Sequence, residues 1–79
     1  MELNIENRIK QLSEEIVKSP QDDALYYERG KLYWKAGMRA EAITDFNQAV
    51  SLNAGSPAAD YLKMVNEILD FYNTDLYNP

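Results

Sequence analysis

The chain has 79 residues, with eight Lys and Arg against thirteen Asp and Glu, a formal net charge of −5, and neither Cys nor His. That composition excludes disulfides, thiolate catalysis, Cys-type zinc sites and the usual imidazole acid–base or metal chemistry. An acidic chain is poorly matched to phosphate backbones, so nucleic acid is not an expected partner. No stretch reaches the roughly 18 apolar residues of a membrane span. MELNIENRIKQLSEEIV lacks the basic start and apolar run of a signal peptide, and a soluble cytoplasmic protein is the expectation. A single domain of this size holds a core worth only about 3–5 kcal/mol, so close helix packing or self-association must help it.

Ile5, Ile9, Leu12 and Ile16 recur at steps of four, three and four, one face of a helix over about 4–18, with Asn4 as its N-cap. Ser19-Pro20 ends it, because the residue before proline avoids helical geometry. A second helix, about 23–36, starts at Asp22 or Asp23 and carries two adjoining stripes: Tyr26, Gly30, Tyr33 and Tyr27, Lys31, Trp34. Gly37 stands where a helix closes through a left-handed residue, with Lys35 in the last turn to suit the helix dipole. The third helix, about 39–52, puts Ala42, Phe46 and Ala49 on one face, with Glu41 and Asp45 expected to point outward. Ser56 as N-cap and Pro57 at the first position open a fourth, 57–72, with Tyr61, Val65, Ile68 and Tyr72 in one stripe. Beyond it, residues 73–79 are polar and are expected to be a tail. No β-type alternation occurs, and the fold class is all-α.

Bulk before the glycine hinge and small residues after it are what two closely packed antiparallel helices need. Tyr26 and Tyr33 supply bulk, Gly30, Ala42 and Ala49 supply room, and Phe46 fills what is left. The expected core is Ile9, Leu12, Ile16, Tyr26, Gly30, Tyr33, Ala42, Phe46, Ala49 and Tyr61.

Residues 23–56 resemble a tetratricopeptide repeat (TPR), with Tyr26 as the first aromatic, Gly30 as the glycine, Tyr33 as the tyrosine, and Ala42, Phe46 and Ala49 as the small, large and small positions of the second helix. Arg29 replaces the family's Leu, and Ala54 its closing Pro. Pro20 lies one period of about 34 residues before Ala54. Residues 1–20 then look like an N-terminal half repeat and 57–72 like a C-terminal capping helix. The closing KMVNEILDFYNTDLYN is similar to the ends of short bacterial proteins of this family. The resemblance implies a right-handed superhelix fragment that binds other proteins and carries no catalytic centre or cofactor.

The residues themselves offer little to a catalyst. Glu14-Glu15 and Asp22-Asp23 are adjacent in sequence and so point about 100° apart on a helix. The hydroxyls have no histidine to activate them. The informative feature is a basic island over 28–39, where Arg29, Lys31, Lys35 and Arg39 face only Glu28. In the family, the matching face of the first helix lines a concave groove. Tyr27, Lys31, Trp34 and Lys35 are therefore the candidate partner-binding residues, suited to a protein or peptide with an apolar anchor and an acidic segment or C-terminal carboxylate. The alternative is a structural module that dimerises weakly through the fourth helix, where Met64, Leu69, Phe71 and Tyr72 gather, and whose aromatics are consumed by packing.

Overall fold

The computed structural model describes residues 2–77, with side chains described for residues 4–68. Four helices follow in order: α1 (Glu2–Lys18), α2 (Asp23–Lys35), α3 (Arg39–Leu52) and α4 (Ala58–Tyr77). Among the described residues no strand is present, and none of the helices is long and apolar enough to cross a membrane. The principal packing joins sequence neighbours, α1 on α2, α2 on α3 and α3 on α4, and gives a slab of 47 × 30 × 15 Å.

The turns follow the expected chemistry. Asp22 is the N-cap of α2, its carboxylate accepting the Ala24 N–H at 3.1 Å. Gly37 has φ +80°, and the Met38 and Gly37 N–H groups donate to the Tyr33 and Trp34 carbonyls at 2.9 and 3.1 Å, closing α2 as a Schellman motif. The Ser56 hydroxyl accepts the Ala58 N–H at 3.1 Å and is buried there. Two boundaries differ from expectation. Asn4 lies inside α1, which begins at Glu2, and α4 continues through residues 73–77. Neither difference is surprising locally, since no Gly or Pro interrupts 2–18 or 58–77 and polar residues alone do not stop a helix.

Helices α2 and α3 run antiparallel, with Asn53 Nδ2 at the end of α3 donating to Asp23 Oδ2 at the start of α2 (3.2 Å). Phe46 is fully buried between them. A Cβ placed on Gly30 would lie 2.7 and 2.8 Å from Phe46 Cε1 and Cδ1, so the ring occupies the space that the glycine leaves. The ring also stacks on Tyr61 of α4, centroids 4.9 Å apart and planes 26° apart. Ala42, Ala49 and Ala58 complete this cluster, and Leu12 and Ile16 bury the inner face of α1. Val65 is also buried, whereas Ile9, Tyr26, Tyr33 and Tyr61 are only half-buried. The tyrosines keep polar tips near water, as the Tyr26 hydroxyl does in donating to the Pro20 carbonyl (3.0 Å).

Asp45 overturns one expectation outright. It does not point outward: its exposure is 3%, and its carboxylate accepts from Arg29 Nε and Nη2, both at 2.7 Å. Arg29 Nη1 also donates to Ser13 Oγ at 3.0 Å, and Ser13 in turn donates to the Ile9 carbonyl at 2.8 Å. The guanidinium carbon lies 5.9 and 5.6 Å from the ring centroids of Tyr26 and Tyr33, within cation–π range. One side chain therefore ties α1, α2 and α3. The hydrogen bonds to Asp45 raise the Arg29 pKa above its ordinary value, against the opposing effect of burial. The positive charge thus persists at every pH at which the fold would be studied.

These contacts generate three stability predictions. Phe46→Ala should cost about 3–5 kcal/mol through the cavity it leaves, comparable with the whole stability of so small a domain. Gly30→Ala should destabilise by about 1–3 kcal/mol despite alanine's higher helix propensity, because the added methyl meets a ring that cannot retreat. A normal melting curve for either variant would show that the α2–α3 contact is wrong. Arg29→Leu leaves a buried carboxylate unpaired and should cost about 3–5 kcal/mol. Adding Asp45→Leu should recover most of that loss in urea titrations, whereas additive losses would refute the ion pair.

Candidate functional site

Three of the four candidate residues, Lys31, Trp34 and Lys35, line one open groove of about 350 Å³. Helix α2 forms its floor with these three and with Glu28 and Leu32, α1 adds Arg8, and α4 adds Tyr61. Spacings of three and four residues put Glu28, Lys31, Leu32 and Lys35 on one face of α2, so the groove is a helix surface framed by its two neighbours.

Tyr27 does not line the groove. Its ring lies edge-on to Tyr61 at 5.9 Å and tilted against Phe46 at 6.3 Å, a packing position under α4. The Lys31 ammonium lies 4.5 Å from the centre of the Tyr27 ring and so connects that packing to the groove. Trp34 is half-buried, with the Arg39 guanidinium 5.3 Å from its ring centre. The candidate quartet therefore divides into one packed aromatic and three groove residues.

The charges of the groove are unevenly engaged. Arg8 donates to Glu28 Oε2 at 3.1 Å and to Gln11 Oε1 at 2.9 Å, and lies 3.8 Å from Glu15 Oε2. Lys31 and Lys35, one turn apart, make no ion pair among the described residues. The basic island loses Arg29 to the interior and gains Arg8 from α1. Arg8 carries no sequence signal as a groove residue, because only the register of α1 on α2 brings it beside Glu28. Among the described residues, no group of three or more acidic, His or Cys side chains could hold a metal ion.

The α4 surface offers a second exposed feature, Met64 and Ile68 one turn apart. Leu69, Phe71 and Tyr72, which the dimer alternative also invokes, lie outside the described side chains.

No family model matches the chain, and neither curated proteins nor solved structures give a match.

The exposure of Trp34 is directly measurable, since it is the only tryptophan. With Lys31, Lys35 and Arg39 around it, iodide should quench its fluorescence more than caesium does, measured against neutral acrylamide, although the protein is acidic overall. The difference should narrow as salt is added. Preferential quenching by caesium would remove the local positive field on which the groove's chemistry depends.

Proposed function

We propose that this chain is a non-catalytic protein-interaction module of the tetratricopeptide repeat kind, acting in the cytoplasm. It binds an extended peptide or a partner helix in the groove over α2. The observation that carries the proposal is the groove itself: an open, aromatic-floored surface with three cations and one acid, in a chain of net charge −5. Trp34 supplies an apolar anchor, and Lys31 and Lys35 supply donors for an acidic segment or terminal carboxylate.

The repeat assignment draws support from the spacing of the caps. Asp22 and Ser56, which cap the starts of α2 and α4, stand 34 positions apart, the period of the family. The antiparallel α2–α3 pair, with Phe46 seated against Gly30, agrees with the large and small positions of the repeat. Arg29, which departs from the family's Leu, is accommodated by Asp45 on the facing helix.

A second reading, weak homodimerisation through α4, is favoured by the exposure of Met64 and Ile68. In that reading there is no separate peptide groove, and the mass rises with concentration. A strictly monomeric mass by light scattering near millimolar protein would exclude it.

Reversing charge in the groove tests the principal reading. Lys31→Glu/Lys35→Glu should lower stability by no more than about 1 kcal/mol, chiefly from the lost Lys31–Tyr27 contact, because exposed charges contribute little. The same variant should lose capture of acidic peptides. Capture that survives the reversal would move the binding site elsewhere.

A further inference from the structure

We propose that Glu28 holds Arg8 in reserve, so that the second carboxylate of a two-acid ligand gains the third groove cation only by displacing Glu28. The inference rests on the groove reading above and specifies the partner: a segment with an apolar anchor and two nearby acids. Of the three groove cations, Arg8 alone is already matched, with Glu28 Oε2 at 3.1 Å. Lys31 and Lys35 are on the same helix face as Glu28, one and two turns further along. A first ligand carboxylate meets these two lysines without displacing another acid. A second must compete with Glu28 for the Arg8 guanidinium.

That competition is feasible because the bridge is exposed. The side chains of Arg8 and Glu28 are 45% and 48% accessible, so the pair is solvated and weak. Gln11 and Glu15 also contact Arg8 from its own helix, at 2.9 and 3.8 Å. The device costs the fold little and makes a second ligand carboxylate displace Glu28 before it gains Arg8.

The test uses a short blocked peptide with one Phe and two adjacent Glu, and a twin with a single Glu, titrated calorimetrically. Proteins compared are the wild-type chain, Glu28→Gln, Arg8→Gln, the double variant and Lys31→Glu/Lys35→Glu. Circular dichroism checks that each is folded. Glu28→Gln should tighten the two-Glu peptide about fivefold and the twin much less. In the Arg8→Gln background that gain should vanish, giving a non-additive cycle. Equal tightening with and without Arg8 would reduce Glu28 to a general negative charge and overturn the inference. No tightening, with binding still lost in the double lysine variant, would overturn it while keeping the groove. No binding by any protein would overturn both.

Discussion

The contact between Phe46 and Gly30 is the constraint on which the remaining structure depends. A small core can be stable only if its helices approach closely, and here the approach is set by one ring filling the space above one missing side chain. Ala42, Ala49 and Ala58 keep the surrounding surfaces low enough for that ring to be enclosed. Tyr61 stacks on the same ring, so the position of α4 is read from the same residue that joins α2 to α3. Because Tyr61 also lines the groove, the geometry of the candidate site is inherited from the centre of the core.

A polar counterpart lies beside this contact, where Asp45 borders the same glycine. Arg29 reaches Ser13 on α1 and Asp45 on α3 from between two tyrosine rings. Paired charges at such a depth add little net stability compared with well-packed apolar residues. What they supply is register: a sliding of α3 along α2 would strand a carboxylate with almost no access to water, and a sliding of α1 would break the Arg29–Ser13 hydrogen bond. Apolar packing sets how near the helices lie, and this network sets where along their lengths they meet.

Much of this was legible in the residues. Helix number, the turn at Gly37, the caps at Asp22 and Ser56 and the pairing of large with small side chains follow from local rules and need no tertiary information. Asp45 shows where those rules stop. At i, i+4 from Glu41 it reads as an outward charge, and only the partner across the helix pair makes it an interior one. Arg8 is the same problem seen at the site, a surface residue of α1 whose meaning depends on what α2 presents to it. The quartet read from the α2 face divided for a related reason. Periodicity gives a stripe, but α4 decides which part of the stripe it covers, and it covers Tyr27 through Tyr61.

The chain-order stacking of the helices has a consequence for how the groove is lost. Its floor belongs to α2, which is clamped between two neighbours, whereas its walls come from α1 and α4, each held mainly to one. Structures of this serial kind fray from their ends, and the outer helices open at lower free energy than the centre. Heating or mild denaturant should therefore dismantle the walls while the α2–α3 hairpin persists, leaving a folded remnant with Trp34 in place and no frame around it. Under the groove proposal, recognition and helicity would then be separable quantities, the first lost at a lower temperature than the second.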